Sequence, residues 1–147
     1  MNLDPAVTGV DPVVRANAEL VLEEMLDGIR AALENGIALG VGTDSGVSYS
    51  THSNYWRELD LLQRVGGMEP AAVLHAATQG NARILGLDSV TGSIAAGKSA
   101  DLVVVDADPL ESFRHLAAPR MVIARGERII RPQITRIEEV DRLLDGL

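Results

Sequence analysis

The run Ile37-Ala38-Leu39-Gly40-Val41-Gly42 constrains this chain more than any other segment. It is short, apolar on both faces and lacks polar alternation. Such a run reads as a parallel strand covered by helices on both sides. The flanks agree. Upstream, Leu22, Met25, Leu26, Ile29 and Leu33 recur at helical steps from about Val14, and Asn35-Gly36 supplies a left-handed stop. Downstream, a loop runs to about Asn54. A helix then carries Trp56, Leu59, Leu62 and Val65 inward to Gly66-Gly67. Pro70 suits a first helical position, and Val73, Leu74, Ala77, Ile84 and Leu85 continue a buried stripe. Helix, strand and helix in this order make an α/β unit.

Around Gly86 the period changes. Gly92-Ser93-Ile94 and Leu102–Val105 read as short strands, and Met121–Ala124 with Arg128–Ile130 as a hairpin turning at Arg125-Gly126-Glu127. Thr135 with Glu138 reads as the capping box of a last helix. Two Asp-Pro pairs make residues 1–13 an extended lead-in. A length of 147 residues fits one domain or a domain with a small appendage. The division expected is a helix-rich part, residues 1–87, and a strand-rich part, residues 88–147.

Composition excludes several functions. A net charge of −8 repels phosphate backbones, and one Trp, two Tyr and one Phe leave little to stack on bases, so no nucleic-acid partner is expected. The absence of cysteine removes disulfides, thiolate ligands and Cys nucleophiles. Asp4 stands where a signal peptide carries basic charge, and no apolar run reaches about 18 residues. The expectation is a soluble, cytoplasmic chain with no membrane partner.

Gly40-Val41-Gly42-Thr43-Asp44-Ser45-Gly46 is where chemistry can sit. A carboxylate just past a buried parallel strand can bind a metal or move a proton to and from water. Asp44 can equally cap the loop through backbone amides. A dinucleotide loop fails because Ser45 stands where its third glycine belongs. A serine hydrolase fails because no G-x-S-x-G elbow is present. Of the three histidines, His75 reads as packed or snorkelling and His115 as structural. His52 stands in the loop after Asp44 beside Thr51, Ser53 and Asn54, where either a specificity role or plain solvation fits.

The strings GVGTDSG, WRELDLLQRVGGMEPAAVLHAATQGNARILGL and TGSIAAGKSADLVVVDADPLE, in that order, resemble the C-terminal part of the metal-dependent amidohydrolases. The nearest branch is the imidazolonepropionase- and prolidase-like hydrolases. The resemblance covers about residues 18–131. It implies an α/β fold: the C-terminal portion of a TIM (β/α)8 barrel in residues 1–87, then C-terminal strands of a small β-sandwich in 88–147. It implies hydrolysis of amide, cyclic amide or dipeptide C–N bonds by a metal-activated water, with a small-molecule substrate. By the resemblance Asp44 is both metal ligand and proton-transfer group, and His52 and Asn54 line the substrate pocket. The cofactor implied for the complete enzyme is a divalent metal, zinc by the resemblance. The family's His-x-His and its middle-strand ligands have no counterpart in this sequence. This chain alone is therefore expected to hold no stoichiometric metal and to be inactive. The alternative is a non-catalytic, self-associating fragment. In either case a homo-oligomer is expected, because Ile37–Val41 and the helix stripes lack neighbours within the chain.

Overall fold

Asp11 and Pro12 start the first helix. The Asp11 carboxylate accepts from the Val13 N–H at 2.8 Å, and Pro12 takes the first helical position, whose N–H would have no partner anyway. Helix α1 (Pro12–Glu34) thus begins earlier than the apolar stripe alone indicates. It ends as the Asn35-Gly36 pair predicts. Gly36 N–H donates to Leu33 and Ile37 N–H to Ala32, the paired bonds of a Schellman motif. The structure, a computed structural model, describes residues 11–46 and 50–145. Most of the expected lead-in, and residues 47–49 of the expected loop, lie outside the described residues.

The remaining helices follow the periodicity. A 3₁₀ turn (His52–Asn54) leads into α2 (Tyr55–Arg64). Helix α3 (Pro70–His75) passes through a π-helical turn (Ala76–Gly80) into α4 (Asn81–Ile84). Strands β1 (Leu102–Val104), β2 (Met121–Ala124) and β3 (Glu127–Ile130) form an antiparallel sheet in that order. Leu102 faces Ile123, and Met121 faces Ile130. Arg125 (φ 50°) and Gly126 (φ 85°) make the two-residue turn that matches the twist of a hairpin. Helix α5 (Glu138–Asp145) closes the described chain.

The core joins α2, α3 and a 3₁₀ turn (Phe113–Ala117). Leu59, Val73 and Phe113 are fully buried and pack with Val41, Met68 and Ala76. No helix among the described residues is long and apolar enough to cross a membrane.

Three expectations need correction. Ile37–Gly42 has no regular secondary structure and no neighbouring strand among the described residues, because a strand needs a ladder partner and the three-stranded sheet does not include it. Gly92-Ser93-Ile94 is not a strand but bends at Gly92 and Ser93, since Gly92 (φ 85°) turns the chain away from extended geometry. Thr135 does not cap α5, whose first residue is Glu138 itself. His75 is exposed at the end of α3, which agrees with the snorkelling reading and not the packed one.

Candidate functional site

The segment that carries Asp44 is held by a side chain instead of a strand. Val41 N–H donates to Asn81 Oδ1 at 2.9 Å, and Asn81 Nδ2 donates to the Val41 carbonyl at 2.8 Å. One amide thus satisfies both backbone groups of a buried residue, as a neighbouring strand would. Gly40 permits the approach. A Cβ there would lie 2.9 Å from Asn81 Oδ1 and 3.0 Å from Ile84 Cδ1. Asn81 follows the π-helical turn, a local widening that sets where its side chain emerges.

Beyond this clamp the chain turns. Asp44 has φ 49°, a left-handed conformation that Asp tolerates better than most residues. Its neighbours tie the turn together. Thr43 Oγ1 and Ser45 Oγ are 2.6 Å apart, Ser50 Oγ donates to the Thr43 carbonyl, and Gly46 N–H donates to the Ser50 carbonyl. Asp44 itself is exposed, and among the described residues its carboxylate makes no hydrogen bond or ion pair.

The other two candidates sit on the 3₁₀ turn before α2. His52 is exposed and lines a mostly apolar cleft of about 1440 Å³ between the helices and the sheet, which Ser50, Trp56, Leu74 and Val122 also line. Asp44 and Asn54 do not line this cleft. Asn54 is buried. Its Oδ1 accepts from Arg57 Nε at 3.3 Å, while its Nδ2 has no partner among the described residues. The structure thus joins His52 and Asn54 on one turn and leaves Asp44 at the far end of the same loop.

Arg57 was not legible as a site residue, yet it is the hub here. Its guanidinium lies 4.4 Å over the Trp56 ring and donates to Asp145 at 2.7 Å. Arg57 and Arg114 hold the Asp145 carboxyl below the usual carboxylate range, with the Arg57 hydrogen bond the main cause. Asn81 was also missed. The one signal for it was an Asn beside a Gly inside a helical stripe, where neither favours helix.

Two further groups on α2 are perturbed. Burial pushes the Glu58 carboxyl up, and burial followed by the nearby Glu58 charge pushes the Tyr55 phenol up. A carboxyl raised in the fold favours its protonated form. Its contribution to stability is full below the unfolded value of 4.5 and is lost as pH rises through the folded one. Glu58→Gln is thus expected to raise the thermal midpoint at pH 7 by a few degrees and to change nothing below about pH 4. Thermal scans at both pH values check this.

His115 is structural, as expected, with Nδ1 2.8 Å from the Asp108 carbonyl. Among the described residues, no three His, Cys, Asp or Glu side chains come together as a metal-holding group. Asp44 is a single oxygen donor, whereas a catalytic zinc takes three protein ligands and a water. The described residues by themselves do not fit a metal centre.

The amidohydrolase family profile matches residues 7–129. Over 106 residues the chain is 29% identical to 5-methylthioadenosine/S-adenosylhomocysteine deaminase 1 of Syntrophus aciditrophicus, covering 67% of this chain and 24% of that one. Over 127 residues it is 29% identical to the imidazolonepropionase of Bdellovibrio bacteriovorus, covering 84% and 30%. Among solved structures, it superposes with a TM-score of 0.92 and 45% identity on a provisionally assigned prolidase from Bifidobacterium longum, covering 98% of this chain and 35% of that one. A Xaa-Pro dipeptidase with bound methionine gives a TM-score of 0.69 at 32% identity, covering 82% and 29%. The chain spans about a quarter to a third of the length of these relatives.

Proposed function

This chain belongs to the amidohydrolase family, with a TIM-barrel-related α/β fold, and on that premise we propose that it is the Asp44-bearing part of a hydrolase of C–N bonds. The observation that carries the reading is the placement of Asp44. Among the described residues its carboxylate has no partner, and it is exposed just past a segment pinned by Asn81, where α/β enzymes set reacting groups. In this reading Asp44 takes a proton from the water that attacks the carbon of a C–N bond and returns it to the leaving nitrogen. His52 faces the substrate, a small molecule carrying an amide, cyclic amide or dipeptide bond, and Asn54 stands buried behind it on the same turn. The activities for which the relatives are named, on adenosine derivatives, imidazolonepropionate and Xaa-Pro dipeptides, mark the range.

Residues 1–87 then belong to the barrel portion and residues 88–147 to the sandwich portion. The family generally uses a divalent metal, zinc in this reading, and the described residues do not complete its ligand set. This chain alone is inactive in the proposal. A cytoplasmic location goes with it, since a cysteine-free chain suits a reducing compartment.

One observation favours a second reading, a self-associating module without activity. Helix α1 buries none of its residues, and Val13, Leu20, Met25 and, after the helix, Ile37 are each more than half exposed. Apolar surface of this kind marks an interface. One dialysed sample tests both readings. Metal analysis is expected to give well under one metal per chain, with no amide hydrolysis, and light scattering a mass above 15.6 kDa. One tightly held metal with turnover overturns the inactivity of the single chain. A 15.6 kDa species overturns association.

A further inference from the structure

We infer that Arg57 is a positioning residue that couples helix α5 to the His52–Asn54 turn. The inference deepens the functional reading above, on which the substrate-facing role of that turn rests.

Guanidinium offers five N–H donors in a rigid fork, so one Arg can hold two partners in fixed relation. Here the fork points two ways. Nε donates to Asn54 Oδ1 at 3.3 Å, and a terminal nitrogen donates to Asp145 Oδ1 at 2.7 Å, with Asp141 Oδ1 3.9 Å away. Asp141 and Asp145 are one turn apart on one face of α5. Asp145 Oδ2 also accepts from Arg114 at 3.4 Å. Arg136 lies 3.8 Å from Asp141 Oδ2 and donates to the Ala117 carbonyl at 2.6 Å.

Helix α5 has no fully buried residue, and its charge pairs add to the packing of the half-buried Val140, Leu143 and Leu144. Arg57 and Asp141 are largely covered, with side chains 20% and 16% exposed, which limits screening of their charges. The consequence falls on Asn54. Its Nδ2 already lacks a partner, and Arg57 is what its Oδ1 has. Freed from the acids of α5, Arg57 reaches solvent and leaves a buried amide wholly unpaired. That state is costly, and opening the turn relieves it. Within the turn, Asn54 N–H donates to the Thr51 carbonyl at 3.0 Å and the Thr51 and Ser53 hydroxyls lie 3.0 Å apart. His52, two positions earlier, moves with it.

Hydrogen exchange on the full chain tests this, residue by residue. The double variant Asp141→Asn/Asp145→Asn is expected to speed exchange of the Asn54 amide roughly tenfold, the worth of a charged hydrogen bond. Arg57→Lys keeps a charge for Asp145 but lacks the fork. It is expected to speed exchange at Asn54 while α5 stays protected. Asp145→Glu is expected to restore near-native exchange at both places. Val73, in the core, serves as the reference. Unchanged Asn54 exchange in the double variant, with α5 alone fraying, overturns the coupling. Equal acceleration at Val73 and Asn54 in every variant overturns it too, since the network is then only a general stabiliser. Exchange needs no turnover, so its failure leaves the proposed activity standing, and an inactive enzyme leaves the coupling standing.

Discussion

Asp44→Asn is expected to lower C–N bond hydrolysis by about 10²–10⁴-fold when this chain replaces the superposable part of the Bifidobacterium longum protein. The chimera supplies what the described residues lack, and 45% identity at a TM-score of 0.92 makes the exchange of parts conservative. Asn matches Asp in size and tolerates the left-handed backbone at this position, so the fold is preserved. What Asn cannot do is accept and return a proton. Asp44 has no structural bond to lose among the described residues, so a loss of rate reports chemistry. Steady-state rates on a panel of Xaa-Pro dipeptides, with folding checked by circular dichroism, make the measurement. A variant within tenfold of the unsubstituted chimera removes Asp44 from the mechanism.

Asn81→Ala is expected to destabilise the chain by about 2–4 kcal/mol, since two hydrogen bonds to a buried backbone are lost together. For a chain of this size that is on the order of 10 °C in the thermal midpoint. The effect is local as well as global. Exchange at the Val41 amide accelerates more than at Val73, because the segment leading to Asp44 detaches before the core opens. A loss under about 1 kcal/mol, with Val41 still protected, shows that the Asn81 amide is not the clamp.

Much of the helical and hairpin architecture was legible. Apolar spacing found α1, α2 and the stripe of α3 and α4, and Arg125-Gly126 found the hairpin. The misses are instructive. Ile37–Gly42 has the composition of a buried strand, but composition reports burial preference, while a strand is a relation between two chains of backbone. With the Asn81 side chain as the partner of Val41, the segment is held without a ladder. Of the site, the Gly42-Thr43-Asp44 string pointed to a carboxylate at a segment end, and that is where Asp44 stands. Asn54 was singled out as a loop residue that lines a pocket. The structure instead buries it beneath Arg57.

The sequence by itself determined the features that neighbouring residues decide among themselves. The Asp11 cap, the stop at Asn35-Gly36 and the turn at Arg125-Gly126 follow from local stereochemistry and bonds spanning a few residues. Only the tertiary structure decided which distant groups meet. Asn81 finds Val41 across 40 positions, and Arg57 finds Asp145 across 88. Loop entropy grows too slowly with length to favour one remote partner over another, so no local signal marks such pairs. Packing of Leu59, Val73 and Phe113 brings their elements into reach, and the buried polar groups then pair with what lies nearby.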